Sequence, residues 1–158
     1  MGGEGFPAKI ARTRIRTLDR KGIHHMTDQT APKSDVVVRG IDSADATTMS
    51  WGAVRWLVGG QQMPGAEQTL GVVTILPGER NPLHRHPNCE ELLYVLSGEC
   101  EHKLGDDRFH LSPGMVIRIP RGVTHWARCT SEEPLVAVIS FSSPDRLTEN
   151  LDEDGELA

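Results

Sequence analysis

Apolar and polar residues alternate in short runs along most of this chain, and turn residues cut those runs at close intervals. The stretch from Ser50 to Val58 is rich in aromatic and β-branched side chains, the composition of a strand. Gly59-Gly60 and Pro64-Gly65 punctuate the next stretch, and a second run from Thr69 to Leu76 ends at Pro77-Gly78. The same pattern predicts strands over Glu91 to Leu96, Glu99 to Leu104, Arg108 to Leu111, Met115 to Ile119, Thr124 to Cys129 and Leu135 to Phe141. Gly105-Asp106-Asp107 joins two of them as a hairpin, and Pro113-Gly114 and Pro120-Arg121-Gly122 turn the chain between others. Val36 to Arg39 is a further candidate for a first short strand. No stretch of about ten or more residues carries helical periodicity. Short strands with turns at this spacing predict an all-β, antiparallel sandwich or barrel.

Strand parity then sorts side chains between inside and outside. With Glu91 pointing inward, Leu93 and Val95 follow it, while Leu92, Tyr94 and Leu96 point out. With His125 inward, Ala127 and Cys129 follow, and Trp126 is expected outside. Leu92, Tyr94, Leu96 and Trp126 together suit a dimer interface or the face covered by a second sheet.

Length divides the chain into three parts. Residues 1–33 are Gly-rich, then Arg/Thr-rich, then polar, and are expected to be a flexible extension in which Met26 is a plausible native start. Residues 34–144 form the barrel, and 145–158 an acidic, frayed tail. The 158 residues suit one domain able to bury its own core.

Charge narrows the partners. Lys and Arg number 17 against 22 Asp and Glu, a net charge of −5. An acidic chain is a poor match for a phosphate backbone, and its one basic stretch, Lys9 to Lys21, lies outside the patterned region. No apolar run reaches the ~20 residues of a membrane span, and no apolar leader opens the chain. The cysteines, Cys89, Cys100 and Cys129, are odd in number and include no CxxC pair, which fits a reducing cytoplasm.

Four residues carry the candidate chemistry. His84 and His86 are two apart, so on a strand they share a face. Glu91 follows a short link containing Pro87 and Asn88, and His125 lies three predicted strands later. Imidazole nitrogens with one carboxylate oxygen suit a divalent transition ion, Fe(II), Mn(II), Ni(II), Co(II) or Zn(II), better than calcium or a structural zinc. On a six-coordinate ion they leave two positions for water, dioxygen or a chelating substrate.

The spacing around these residues resembles both signature motifs of the cupin superfamily. The first reads Gly78, five residues, His84-Arg85-His86, four residues, Glu91, six residues, Gly98. The second reads Gly114, five residues, Pro120-Arg121-Gly122, two residues, His125, three residues, Cys129. Cys129 stands where the family usually has asparagine, a position that is not normally a ligand. The resemblance covers roughly residues 50–141 and implies a double-stranded β-helix, or jelly-roll barrel, holding one divalent metal per chain on His84, His86, Glu91 and His125. Fe(II) or Mn(II) is favoured, and small members of the family are commonly homodimers.

Other side chains carry bland readings beside functional ones. Cys129 reads as a small buried hydrophobe and Cys89 as an inert loop thiol. His102 and His110, on one hairpin, read as exposed spectators, and Glu90 as solvated. Trp51 and Trp56 read as core or dimer contacts before a substrate platform. Arg55 and Arg118 are candidates to hold a carboxylate, and Gln68 and Thr74 to line a pocket.

Fold alone does not settle function. The leading expectation is a dioxygenase-type oxidoreductase acting on a small oxygen-bearing molecule, because the apolar neighbours Leu93, Val95 and Ala127 supply no second base. Two alternatives stand beside it: a redox-neutral lyase, isomerase, cyclase or decarboxylase, and a binding module without turnover.

Overall fold

A computed structural model describes residues 38–152 and 154–158. The strands among them, in chain order, are β1 (Ala46–Met49), β2 (Gly52–Val58), β3 (Thr69–Ile75), β4 (His84–Arg85), β5 (Glu91–Ser97), β6 (Cys100–Leu104), β7 (Asp107–Leu111), β8 (Val116–Ile119), β9 (His125–Cys129), β10 (Leu135–Phe141) and β11 (Glu149–Asn150). One sheet runs β1-β2-β3-β10-β5-β8 and the other β11-β4-β9-β6-β7. Pairings between these strands are antiparallel. From β3 onward the chain passes from one sheet to the other and back, interrupted only by the β6–β7 hairpin. This is the expected double-stranded β-helix.

Alternation explains why the sheets stack. β3 buries Thr69, Gly71, Val73 and Ile75, β5 buries Glu91, Leu93 and Val95, and β10 buries Leu135, Ala137, Ile139 and Phe141. The apolar side chains among them form, with Val54, Ile117 and Ile119, one core between the sheets. Each fully buried Ile, Leu or Val contributes roughly 1.5–3 kcal/mol over an exposed one. Gly98 closes β5 because nothing larger fits. Its φ is +70°, and a Cβ there would meet the Pro134 carbonyl oxygen at 2.6 Å and Leu135 Cα at 2.8 Å.

Three features depart from the sequence reading. Trp126 is buried rather than outward-facing at an interface: it packs with Leu83 and Leu151 under the guanidinium groups of Arg80, Arg108 and Arg128. Parity does send its ring to the opposite side from His125, but the segment after the barrel covers that side. The same segment was expected to be a frayed tail from residue 145. Instead β11 pairs with β4, Leu151 is buried, and Leu151 N donates to Leu83 O. Finally, β1 falls in a stretch where no strand was predicted. Val38 and Arg39 of the Val36–Arg39 candidate are not in a strand. Val36 and Val37 lie outside the described residues, as do the extension over 1–33, its basic stretch and Met26.

Candidate metal centre

The topology sets two strands of the second sheet side by side so that His84 on β4 pairs directly with His125 on β9. His86 lies just beyond β4, and Glu91 opens β5 on the facing sheet. The result is that one ligand-type atom from each of these four residues falls within 4.8 Å of the other three. The imidazole centroids are 4.1 Å apart for His84 and His125, 5.1 Å for His84 and His86, and 5.3 Å for His86 and His125. His86, Glu91 and His125 are buried, and His84 is half-buried.

Hydrogen bonds fix which nitrogen each imidazole offers. His84 Nδ1 lies 2.8 Å from Pro82 O and His125 Nδ1 2.9 Å from Val123 O, each to a carbonyl two residues back. His86 Nδ1 lies 2.8 Å from Leu147 O, with Thr148 Oγ1 at 3.3 Å. A carbonyl oxygen only accepts, so each Nδ1 carries the proton and each Nε2 is left with a lone pair. Those lone pairs face an anion. His86 Nε2 is 3.1 Å and His125 Nε2 3.2 Å from Glu91 Oε2. His86 Nε2 is out of line for a hydrogen bond and is buried without a partner.

Electrostatics point the same way. Burial lowers the His84 pKa from its ordinary value to about 3, helped by His125 and opposed by Glu91. Burial raises the Glu91 carboxyl, but the imidazoles of His125 and His86 lower it by more, below the usual carboxylate range. Glu91 is therefore held as a carboxylate anion beside the imidazoles. Lone pairs packed this closely repel one another unless a cation lies among them, and the mixed N/O donor set fits a divalent transition ion.

Comparison with known proteins agrees with this arrangement. A family profile described as a cupin domain matches residues 71–141, which contain all four residues and both motifs. Residues 71–141 of this chain are a cupin domain. Among curated cupin relatives, germin-like protein 5-1 of Oryza sativa subsp. japonica is 29% identical over 122 residues, 70% of this chain and 54% of the relative. Protein SchB of Streptomyces halstedii is 40% identical over 63 residues, 40% of this chain and 46% of the relative. The chain spans about half the length of these curated relatives. The crystal structure of Lactobacillus farciminis oxalate decarboxylase in a formate complex superposes with a TM-score of 0.65 at 25% identity, covering 70% of this chain and 34% of that one.

Above the four residues this cupin has a cavity of about 320 Å³ with a mostly apolar lining. Trp51 and Trp56 pack against the core, as expected, and both also line the cavity. Arg146 and Thr148, from the segment expected to be a tail, line it as well. The sequence signal for Arg146 is one cation in an acidic stretch, which is no signal without the fold.

Several candidates fall elsewhere. Arg118 binds Glu90, with Nη2 2.7 Å from Oε2, and neither lines the cavity. Arg55, Gln68 and Thr74 do not line it either. His110 is exposed beside Glu99. His102, expected to be an exposed spectator, is instead buried to 1% exposure with its ring stacked on His125, and burial lowers its pKa to about 4. The sequence left the register of that hairpin open, and the β6–β9 register sets His102 opposite Ala127, on the inward face. Cys89, Cys100 and Cys129 are all buried and free. The Cys129 thiol donates to Glu133 O at 3.3 Å across the β9–β10 turn.

Proposed function

We propose that this cupin holds one divalent transition ion on the Nε2 atoms of His84, His86 and His125 and a carboxylate oxygen of Glu91, and uses it as a dioxygenase-type oxidoreductase on a small oxygen-bearing molecule. The observation that carries the metal is the convergence of three imidazoles, two buried and one half-buried, on one buried carboxylate. Fe(II) or Mn(II) is the preferred ion. The metal would supply Lewis-acid and redox chemistry at the cavity floor.

The chain's own residues account for the rest. The three backbone carbonyls, Pro82 O, Val123 O and Leu147 O, hold the imidazoles in one tautomer and one orientation. Val54, Val73, Ile75, Leu93 and Ile139 line the cavity with apolar surface that excludes water from the reacting end of a substrate. Glu91 is the only carboxylate lining the cavity among the described residues, and it belongs to the ligand set. A redox-neutral lyase would need a separate general base, so this lining favours oxidation. Likeness to oxalate decarboxylase favours a second reading, redox-neutral cleavage of a small acid.

Elemental analysis after purification without chelator or nickel resin, then oxygen-electrode assays with Fe(II) and a panel of diketones, catechols and flavonols, separates these readings. Near-stoichiometric iron with substrate-dependent oxygen uptake is expected. Manganese, zinc or nickel without uptake would favour the redox-neutral enzyme, and no bound metal would overturn both.

Leu92, Tyr94 and Leu96 of β5 and Val116 of β8 are exposed on the outer face of the six-stranded sheet, and the register sets Val116, Tyr94, Val138 and Val72 in one row across it. An apolar face of this kind suits a homodimer. Three buried free thiols favour a reducing cytoplasm. No helix of the described residues is long and apolar enough to cross a membrane.

A further inference from the structure

Among the described residues Arg146 is the one cation in the cavity wall, and it is built in rather than adventitious. Asn88, from the loop between His86 and Glu91, holds the backbone on both sides of it. Asn88 Nδ2 donates to Asp145 O at 2.9 Å, and Leu147 N donates to Asn88 Oδ1 at 2.9 Å. The next carbonyl, Leu147 O, is the acceptor for His86. The segment bearing Arg146 is thus tied to the ligand loop at three points.

The side chain is placed as firmly. Its guanidinium stacks 4.0 Å from the Trp56 ring centroid and 5.1 Å from that of Phe141. Trp56 can lie there because residue 71 is glycine: a Cβ at Gly71 would meet the indole at 2.7 Å. Phe141 in turn packs edge-on against His86, with centroids 4.9 Å apart. The cation and a metal-ligand imidazole therefore flank a single aromatic ring. Nη1 of Arg146 donates to Thr148 Oγ1, and no carboxylate of the described residues forms an ion pair with it. A guanidinium has five donors, so most of its hydrogen-bonding capacity is open to a ligand.

Charge counting sharpens the point. Glu91 and Arg146 are the only charged side chains lining the cavity among the described residues, and their charges cancel. A divalent ion on the four ligands leaves a surplus of two positive charges in a mostly apolar space. Such a pocket selects anions.

Resting on the metal reading above, we propose that Arg146 is the specificity-determining anchor for a carboxylate, so that the substrate is an organic acid with its oxygen donors on the metal and its carboxylate forked onto Arg146. Trp56 and Phe141 hold the guanidinium in place, and its planar fork matches a carboxylate bidentately. The neutral isostere of such an acid leaves the guanidinium unpaired and is rejected.

The test uses the full chain loaded with Co(II), whose visible spectrum reports occupation of the open coordination positions. Two catechol acids of different reach, 3,4-dihydroxybenzoate and 3,4-dihydroxyphenylacetate, are titrated anaerobically against their own amides. At least one acid is expected to bind ten-fold or more tighter than its amide. Arg146→Gln should bring that acid to within about two-fold of its amide, leaving amide affinity and Co(II) stoichiometry unchanged. Arg146→Lys, which keeps the charge without the fork, should fall between the two. Equal binding of acid and amide in both pairs by the metal-loaded wild-type chain would overturn the anchor and leave the metal reading standing. Failure of the chain to take up Co(II) would overturn the metal reading, and the anchor with it.

Discussion

Each imidazole of the candidate site is aimed by the proton on its far nitrogen, so ligand identity and backbone geometry act together. Removing one ligand leaves three donors that still repel, and His84→Ala or His125→Ala should strip most of the metal while circular dichroism shows an intact β-barrel; retained stoichiometric metal in both would sink the ligand assignment. His102 gives a separate, pH-dependent prediction. Burial holds its pKa at about 4, against 6.5 in the unfolded chain, so the folded form keeps it neutral. Its contribution is fully present above about pH 6.5 and is lost as pH falls from there towards 4, because the unfolded chain binds the extra proton. Urea melts of the metal-free chain should show stability about 2 kcal/mol lower at pH 4.5 than at pH 7.5 from this group. The His102→Leu variant should show a flatter profile. The thiols predict inertness. Burial pushes the Cys100 thiol up to about 12, and Cys89 is raised for the same first reason. A thiol reagent at pH 8 should label none of the three until the chain unfolds.

At the scale of elements, the informative pieces are the shortest. β4 and β11 are two residues each, below what alternation can register, yet their pairing brings Leu147 O to His86 and Leu151 to Trp126. Ending the chain after Asp145 removes that carbonyl and uncovers Trp126. Metal affinity should fall about 10- to 100-fold, as for loss of other partners that orient a ligand, while the core between the sheets persists. Competition with a chromophoric chelator measures the fall, and unchanged affinity would show that the segment is dispensable. The turn after β5 predicts the opposite balance. Gly98→Ala combines a left-handed backbone with a collision against the Pro134 and Leu135 backbone, so it should cost roughly 2–4 kcal/mol of stability by denaturant melt. Metal stoichiometry in the folded fraction should not change, because Gly98 touches no ligand.

At the scale of the whole molecule, the outer sheet face and the cavity are separate surfaces, and they can be perturbed separately. Tyr94→Glu places a charge in the middle of the apolar row and should convert a homodimer to a monomer by light scattering, with the metal content kept; a wild-type monomer would rule out that interface. Much of this architecture was legible beforehand for a physical reason: strand alternation has a period of two, and glycine and proline mark where the backbone must turn, so strands and parity can be read locally, while the resemblance to the cupin motifs implied the His84, His86, Glu91 and His125 set. The pairing of His84 with His125 depends on topology, but the two motifs already implied it. The sequence by itself therefore predicted an antiparallel all-β chain, and its resemblance to the cupin motifs implied the β-helix and the donor set. Only the tertiary structure decided what covers and faces them. Trp126 is buried, His102 is stacked on a ligand and Arg146 enters the cavity because residues far apart in sequence pack there, and burial depends on those neighbours rather than on any local period.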